Sequence, residues 1–516
     1  MPVRDVVVVG SGHNALVAAC YLSRAGLDVE VVEHDAVLGG AVSTVERWPG
    51  YLVDRGSSAH IMIRQTGIVE ELRLDECGLH YLDMDPWAFA PFGPPDDQGS
   101  LTFHVDLERT CASIAALCGD AEADAYRRFA RDWAARNEAV FEAFQDPPTA
   151  GRLGRHLWGV GKASGLGGLE LSRQFLQPGD QLLDEHFGDE RLKTALSWLG
   201  SQSGPPTHEV GTADLVGWAM LMHRHPPGRP VGGSGALTQA LAERLRRLGG
   251  TVRLGDGAAA ITRSGDRVTG VRTDSGEHID ARAVVAGCHV LTTLELLGDE
   301  ALLERGRRAI RVGNGIGMVV RLATTALPGY PSARPEAHAG LQLLAPSRAA
   351  LRTAYGEFGA GRPPTEPPVV VLTPTVADPS LAPPGRHVVT AWAQWHAYEL
   401  AGGRSWDDLR DESAERIVAQ VERVAPGFDG SIEQVHVQTP LDLERELGLR
   451  RGNVMHVEMG LDSMFLYRPL PELSGYRTPV RGLYLTGAST HPGGGVFGAS
   501  GRSTARVVVS ERRRWR

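Results

Sequence analysis

The stretch VVVVGSGHNALVAACYLSRAGLDVEVVE, residues 6–33, decides the fold. It opens with four valines, and such a β-branched run is typical of a strand that is covered on both faces. Apolar residues at helical spacing then predict a helix over residues 15–25, which Gly26 ends at a position that favours a left-handed backbone. Residues 27–32 predict the next strand. The stretch is therefore a strand–helix–strand unit, which is the building block of an α/β fold.

The turn between the first strand and the helix carries the pattern Gly10-x-Gly12-x-x-Ala15. Gly10 allows a sharp turn, Gly12 lets backbone N–H groups approach a pyrophosphate, and Ala15 allows helix and strand to pack closely. The helix N-terminus then faces the phosphates with its partial positive charge. Glu33, at the end of the second strand, is placed to accept hydrogen bonds from ribose hydroxyls and disfavours the 2′-phosphate of NADP. The unit predicts a dinucleotide site.

Glycine-rich segments elsewhere favour FAD over NAD. Gly39-Gly40-Ala41 follows Glu33 closely and lets the backbone pass near the pyrophosphate from a second side. A C-terminal strand over residues 482–487 ends at Gly487, and Gly493-Gly494-Gly495 precedes a helix predicted from about residue 497 to 509. The positive end of that helix favours the negative charge that a reduced flavin carries near N1 and C2=O. An NAD dehydrogenase has no need of such a C-terminal segment. We call residues 487–496 the glycine-rich return.

The length of 516 residues exceeds one compact core and predicts two interwoven domains. We expect a discontinuous, Rossmann-like FAD-binding domain made of residues 1–75, 225–290 and 440–516. The two long insertions, residues 76–224 and 291–439, predict an α+β substrate-binding domain. The predicted fold class is therefore α/β, with a second domain inserted twice into the nucleotide domain.

Within these segments the periodicity predicts further elements. Helices are expected over residues 121–144, 236–248 and 406–424, and strands over residues 251–254, 258–263, 268–273, 283–286, 315–322, 369–373 and 387–394. The glycine-rich residues 151–168 are predicted to form a loop.

Composition excludes several classes of protein. The net charge of −9 argues against nucleic-acid binding. The sequence has no apolar run near twenty residues and no export signal, so we expect a cytoplasmic protein without a spanning helix. The five cysteines form no Cys-x-x-Cys pair, which excludes the redox-disulfide flavoenzymes. The basic tail at residues 511–516 is expected to be a solvated end, with contact to an anionic membrane surface as the alternative.

These motifs resemble the flavoprotein amine oxidase and phytoene desaturase superfamily. Within it, the closest resemblance is to the phytoene-desaturase-like branch that includes the pyridine nucleotide-disulphide oxidoreductase domain-containing proteins. The resemblance is carried by residues 10–16, 39–40, 54–57, 232–235 and 482–501, with further support from residues 452–456 and 468–469. It therefore spans the whole chain.

The resemblance implies bound FAD. It implies residues 10–15 at the pyrophosphate, Glu33 at the adenosine ribose, the strand near Ala258 beside the adenine, and Gly487 with Gly495-Val496 beside the ribityl chain and isoalloxazine. The cofactor-binding residues expected in full are Gly10, Ser11, Gly12, His13, Asn14, Ala15, Glu33, His34, Gly39, Gly40, Ala41, Ser57, Ala258, Gly487, Ser489, Gly495 and Val496.

Two departures from the superfamily pattern disfavour amine oxidation. Many amine oxidases have an acid after the glycine equivalent to Gly487, where this chain has Ala488. The ribityl contact would then fall to backbone or to Ser489. An arginine common after the second glycine pair is replaced by Ala41.

Two histidines are candidate catalytic bases, because flavin dehydrogenation often needs a base beside the hydride acceptor. His491 lies in the glycine-rich return, and His60 follows the first cofactor segment. His13 sits at the phosphate turn, where a cofactor or packing role is favoured. No metal site is expected, since His223 and His225 would face opposite sides of a strand.

The sequence thus predicts an FAD-dependent desaturase or oxidase. It would remove hydride equivalents from a largely apolar or ring-containing metabolite and be reoxidised by dioxygen or a quinone. A flavin-dependent double-bond isomerase and a non-redox lipid- or prenyl-binding escort protein are the alternatives. The identity of the substrate and the oligomeric state are left open.

Overall fold

A computed structural model describes residues 3–93, 99–165, 167–332 and 335–515. The strands are β1 Arg4–Val9, β2 Val29–Val32, β3 Thr44–Trp48, β4 Tyr51–Asp54, β5 Tyr81–Asp83, β6 Ala88–Pro91, β7 Ser100–Phe103, β8 Gly228–Pro230, β9 Thr251–Arg253, β10 Ala258–Ser264, β11 Arg267–Thr273, β12 His278–Ala286, β13 Gly317–Thr324, β14 Leu341–Leu344, β15 Val369–Leu372, β16 His387–Gln394, β17 Ile432–Gln438 and β18 Leu483–Leu485. The helices are α1 His13–Arg24, α2 Ile68–Glu71, α3 Leu107–Cys118, α4 Asp120–Gln145, α5 Ala150–Ser164, α6 Gly168–Leu176, α7 Gly179–His186, α8 Glu190–Gly200, α9 Ala213–Trp218, α10 Gly235–Arg247, α11 Val290–Leu297, α12 Glu300–Ala309, α13 Arg348–Gly359, α14 Trp406–Val424, α15 Pro440–Leu447 and α16 Ala499–Glu511.

The first sheet has the strand order β10-β11-β12-β1-β2-β9, with β18 paired to β12. β1 is parallel to both β2 and β12, and β12 is parallel to β18. The four valines of residues 6–9 are buried because α1, α10 and α16 cover one face of the sheet, while β10–β11 and α11 contribute to the cluster on the other. The expected two-sided burial of the first strand is confirmed.

The second sheet has the order β17-β13-β16-β15-β14-β6-β7. Helix α14 packs its apolar side on one face of it, and a helical layer that includes α3, α4 and α8 packs on the other. All strands of the first sheet lie in residues 1–75, 225–290 and 440–516, and all strands of this one lie in the two insertions. The α/β class with a Rossmann-like unit is confirmed, while the limits of the two domains stay a prediction.

One predicted element is wrong. Residues 151–168 form no loop, because α5 spans Ala150–Ser164 and α6 begins at Gly168. The loop was predicted because the glycines of this stretch lower its helix propensity. Tertiary contacts override the propensity, since Val160 is buried in a cluster with α4 and the Thr149 side chain caps the helix by accepting from the Arg152 N–H at 3.3 Å.

A buried ion pair ties the N-terminal segment to the middle of the chain. Asp54 accepts hydrogen bonds from Arg229 Nη2 at 2.7 Å, from the Ser234 N–H at 2.8 Å and from Thr44 Oγ1 at 2.7 Å. Arg229 also donates to the backbone oxygen of Ser58 at 2.6 Å. Both charged side chains are nearly inaccessible to solvent. The pair fixes the start of α10 against β3 and β4.

We therefore expect Asp54→Ala to lower the free energy of unfolding by about 3–5 kcal/mol, because it leaves the Arg229 charge buried and unpaired. Asp266→Ala is the control, since Asp266 pairs with Arg481 at the surface and both side chains are about two-thirds exposed. Its expected change is much smaller, because a solvent-exposed ion pair contributes little to stability. Urea unfolding at neutral pH measures both, and equal losses would show that the buried pair has no special role.

Candidate functional site

Three parallel strands end at one edge of the first sheet, and a glycine follows each. In the register of β1, β12 and β18, Val9 pairs with Ala286, and Ala286 pairs with Leu485. Gly10 and Gly287 come next in the first two strands, and Gly487 lies two residues beyond the third. Ligands of open parallel sheets bind at this carboxyl edge.

Close packing at this edge requires the glycines. A Cβ on Gly287 would lie 2.6 Å from Cβ of Ala15, and a Cβ on Gly487 would lie 3.0 Å from the Gly287 oxygen. Gly10 and Gly487 also have φ values of +91° and +98°. Helix α1 can therefore approach the ends of β1 and β12, as the small Ala15 predicts.

Glu33 is fastened to the first turn. One carboxylate oxygen accepts from the N–H and the hydroxyl of Ser11 at 2.6 and 2.8 Å. The other accepts from the Asp35 N–H at 2.8 Å. The Ser11 hydroxyl in turn accepts from the Gly39 N–H at 3.0 Å, which joins the two predicted glycine segments. The structure thus brings Ser11, Glu33 and Gly39 together.

Three glycines near the N-terminus of α1 have open space at the position where a Cβ would stand. A Cβ on Gly12 would meet no heavy atom within 4 Å, and one on Gly40 would meet only Cα of Gly12 at 3.9 Å. Gly495 is exposed and likewise has no neighbour within 4 Å of its Cβ position. Gly39 instead supports the wall, since a Cβ there would lie 2.4 Å from the Thr238 hydroxyl. The three open glycines form a cradle that fits a pyrophosphate.

His13 joins the turn to the C-terminal return. Its ring lies 3.0 Å from the Asn14 side chain and hydrogen bonds with the backbone of Gly495. Burial lowers the pKa of His13 to about 4, so the ring is neutral at pH 7. His13 and Asn14 therefore meet Gly495, which is far from them in the sequence, at one end of the cradle.

The predicted adenosine end lies beyond Glu33. His34 is exposed and lies 3.0 Å from the Asp274 carboxylate, and the same carboxylate accepts from the Gly257 N–H. Gly257 would place a Cβ 2.7 Å from Cβ of His34, which brings the start of β10 at Ala258 close to the end of β2. Ser57 and Ala41 lie on the other side, where the Ser57 N–H donates to the Ala41 oxygen at 2.8 Å.

In the return, the side chain of Ser489 is engaged by protein. Its hydroxyl accepts from the Val290 N–H at 3.1 Å and lies 3.3 Å from Nδ1 of His456. The Gly487 N–H donates to the Ser500 hydroxyl, and the Val496 oxygen accepts from the Ile63 N–H. The sequence left two groups for the ribityl contact, the backbone of the return or the Ser489 hydroxyl. Because the hydroxyl already has protein partners, the backbone is the better candidate.

A buried arginine, which supported the family resemblance but was assigned no role in the site, holds this return. The guanidinium of Arg468 donates to the Ala488 oxygen at 2.7 Å. Four further backbone oxygens accept from the same group, namely those of Met455, Val457, Glu458 and Ser463. Burial lowers the pKa of Arg468 to about 9, which still leaves it charged at pH 7. The side chain thus fixes residues 455–463 against the return.

His491 packs beside four phenylalanines, which we call the aromatic cage: Phe141, Phe144, Phe465 and Phe497. Its ring contacts Phe144 and Phe465, with centroids 5.9 and 5.7 Å away. Phe141 and Phe497 stack next to them at 5.5 Å. The His491 Nε2 lies 3.1 Å from the Ala143 oxygen, while Nδ1 is buried with no partner among the described residues. Since a carbonyl can only accept, Nε2 carries the proton and Nδ1 has a free lone pair.

Burial lowers the pKa of His491 to about 4, with a smaller opposing effect of its hydrogen bond to Ala143. The ring is therefore neutral over the physiological range. His60, the second candidate, is also neutral, because burial lowers its pKa to about 3. Both of its ring nitrogens have partners at 2.8 Å, the hydroxyls of Tyr81 and Ser234. The geometry favours a positioning role for His60.

Metal-binding and membrane-spanning features were searched over the described residues. No group of three or more His, Cys, Asp or Glu side chains there is arranged to hold a metal ion. In the same ranges, no helix has the length and apolar character needed to cross a membrane.

Comparison with known proteins identifies the family. Residues 16–292, more than half of the chain, match the family described as flavin containing amine oxidoreductase. The chain belongs to this family. The chain is therefore a flavin-dependent oxidoreductase, as the sequence motifs indicated.

Similarity extends beyond the matched region. The chain is 31% identical to the mouse (Mus musculus) protein named pyridine nucleotide-disulfide oxidoreductase domain-containing protein 2, over 99% of this chain and 94% of that one. It is 29% identical to a phytoene dehydrogenase of Streptomyces griseus, over 96% and 92% of the two chains. Among solved structures, an oxidoreductase from Methanosarcina mazei has the same fold, with a TM-score of 0.62, 15% identity and coverage of 98% and 100%.

The cradle predicts a selective effect of Gly12→Ala. Gly12 has φ −59° and ψ 155°, which alanine adopts freely, and its Cβ would touch no protein atom. The apoprotein should therefore melt as the wild type does, while the methyl group enters the space proposed for the pyrophosphate and weakens FAD binding about tenfold or more.

Fluorescence titration of the apoprotein with FAD measures the affinity, and a circular-dichroism melt measures the fold. Gly356→Ala is the matched control, because Gly356 also has open space at its Cβ position but lies exposed in α13. Unchanged FAD affinity in Gly12→Ala would exclude the turn as the pyrophosphate site.

Proposed function

We propose that this oxidoreductase binds FAD and desaturates or oxidises a largely apolar or ring-containing metabolite. The observation that carries the proposal is the position of the aromatic cage, which adjoins the glycine-rich return at Val496–Phe497. A flavin ring beside the return would face apolar side chains, and such a wall favours an apolar substrate.

The length of the site supports FAD over a mononucleotide. The cradle at Gly12, Gly40 and Gly495 suits a pyrophosphate. Glu33 and the start of β10 lie beyond it, where an adenosine would extend. A flavin mononucleotide would have no use for these two features, whereas FAD uses the whole length.

The cage supports an apolar substrate on a second ground. Its buried cluster combines Val140, Phe141, Phe144, Val160, Leu171, Met464, Phe497 and Ala499, contributed by α4, α5, α6 and the C-terminal segment. The name of the Streptomyces griseus relative points in the same direction, since a phytoene dehydrogenase acts on an apolar compound. The substitutions Ala41 and Ala488 argue against the amine oxidation that the family description names.

When bound, FAD would supply the hydride acceptor, and dioxygen or a quinone would serve as the oxidant of the reduced cofactor. For each double bond formed, the substrate loses one hydride and one proton. The His491 Nδ1 lone pair is available to accept that proton, and the hydrogen bond from Nε2 to the Ala143 oxygen fixes the tautomer. The surrounding Phe144 and Phe465 exclude water from the ring. His60 holds Tyr81 and Ser234 in place.

Anaerobic titration of the yellow protein with apolar polyenes and cyclic terpenoids tests the proposal. A substrate should bleach the flavin absorbance, and the product should be lighter by two hydrogens. A product of unchanged mass would indicate the double-bond isomerase instead. Rapid bleaching by NADH alone would overturn the oxidase reading. Family membership argues against the non-redox escort protein, which would bind an apolar ligand without bleaching.

His491→Gln should slow flavin reduction about 100-fold or more, because an amide cannot accept the proton. With the pKa of His491 near 4, the wild-type rate should stay flat from pH 8 down to about pH 5 and fall below that, as the base becomes protonated. Stopped-flow absorbance measures both.

His396→Gln is the matched control. His396 is equally buried, has a pKa lowered to about 4 by burial, and has an Nδ1 without a partner among the described residues, but it packs against Trp406. An equal slowing in the two variants would remove His491 from the mechanism.

A further inference from the structure

Large apolar side chains are exposed on two consecutive helices. Trp158 on α5 and Leu169 on α6 are 78% and 92% exposed, and Leu157 and Leu176 are exposed on the same helices. Val210 adds to this surface, because the N–H of the next residue, Gly211, donates to the Leu176 oxygen. We call Leu157, Trp158, Leu169, Leu176 and Val210 the apolar face. Contiguous exposed apolar groups mark a binding surface.

Each of the two helices carries apolar side chains on two opposite sides, one buried and one exposed. Their inner sides bury Val160 and Leu171 in the cluster around the aromatic cage. Trp158 lies at the centre of the outer side of α5, away from buried Val160. Leu169 and Leu176 are seven residues apart and therefore share the outer side of α6. The arrangement is that of helices that lie flat on an apolar phase.

The charged side chains beside Trp158 on α5 are cationic, whereas Glu209 lies beside Val210. Arg155 and Lys162 are exposed and lie three residues before and four residues after Trp158, so they flank it on the helix surface. The α5 sequence contains no Asp or Glu. On α6, Arg173 is neutralised by Glu170 and Glu185. A chain of net charge −9 thus presents a local positive surface around an exposed tryptophan.

A cavity opens at the edge of the apolar face. Its volume is about 140 Å³, and its lining includes Val210, Asn314, Tyr355, Glu458 and Met459. Met459, which lines the cavity, also packs on the glycine-rich return, because its sulfur would lie 2.7 Å from a Cβ on Gly493. The Asn314 amide oxygen is buried with no partner among the described residues. Val210 of the apolar face and Met459, which packs on the glycine-rich return, therefore line the same cavity.

We propose that the apolar face docks on an anionic phospholipid bilayer. Trp158 and the leucines would enter the interface between headgroups and acyl chains, while Arg155 and Lys162 would meet the lipid phosphates. Docking would bring the enzyme to the phase in which an apolar substrate dissolves, a consequence that rests on the proposed function. The basic tail is a poorer anchor, because the Trp515 oxygen accepts from Arg267 and its ring packs on the protein.

Flotation of the flavin-loaded full-length protein with lipid vesicles tests the proposal. The protein should float with vesicles of phosphatidylcholine and phosphatidylglycerol and much less with phosphatidylcholine alone, and salt should weaken the binding. Trp158→Glu/Leu169→Glu should lower the partition coefficient about tenfold or more. Arg155→Gln/Lys162→Gln should lower it about 30-fold on anionic vesicles only.

Val376→Glu/Val435→Glu is the control, because both valines are exposed on elements outside α5 and α6 and the same two charges are added. It should float as the wild type does. Absence of wild-type flotation, or equal flotation of Trp158→Glu/Leu169→Glu, would overturn the proposal. The proposal would also be overturned if the wild type were a dimer and Trp158→Glu/Leu169→Glu were a monomer, because a second copy of the chain would then cover the apolar face.

Flavin reduction by a substrate supplied in detergent micelles is measured on the same variants. It should be unchanged in all of them, because none of the substituted residues contacts the cradle or the cage. If no sample showed flavin reduction, the proposed function would be contradicted. The flotation result would still test the docking on its own.

Discussion

The parallel register of β1, β12 and β18 is the constraint on which the rest of the structure depends. Val9, Ala286 and Leu485 come from distant parts of the chain and end side by side. Because each strand runs into a glycine, α1 can pack against the sheet edge and leave its N-terminus open. The cradle, the attachment of Glu33 to the turn and the position of the return all follow from this edge.

The proposed cofactor site has a polar end and an apolar end. Around Glu33 and Ser11, hydrogen bonds hold backbone N–H groups and a carboxylate toward a polar ligand. Around His491, aromatic rings remove water and leave one ring nitrogen unpaired. Arg468 holds the glycine-rich return in place, since it donates to the backbone oxygens of Ala488 and Met455. A dinucleotide with a flavin at its apolar end matches this polarity.

Local patterns predicted the parts of this arrangement that depend on neighbouring residues. The β-branched run at residues 6–9, the glycine turn and the helix at residues 406–424 were read correctly because period and turn chemistry are local. Helix α5 was missed because packing on α4 outweighs its glycines. The Ser234 partner of His60 lies far away in the sequence, and the backbone oxygens that accept from Arg468 belong to irregular segments, so no periodic signal reports either set of contacts. Gly287 was detectable, since it follows a predicted buried strand.

The central claim is that three glycine-rich segments build one site for FAD. Its most direct test is the cofactor released from the purified, reconstituted protein, identified by mass and counted from its absorbance. One FAD per chain is the predicted result. Release of flavin mononucleotide, or no flavin after reconstitution with FAD, would contradict the claim.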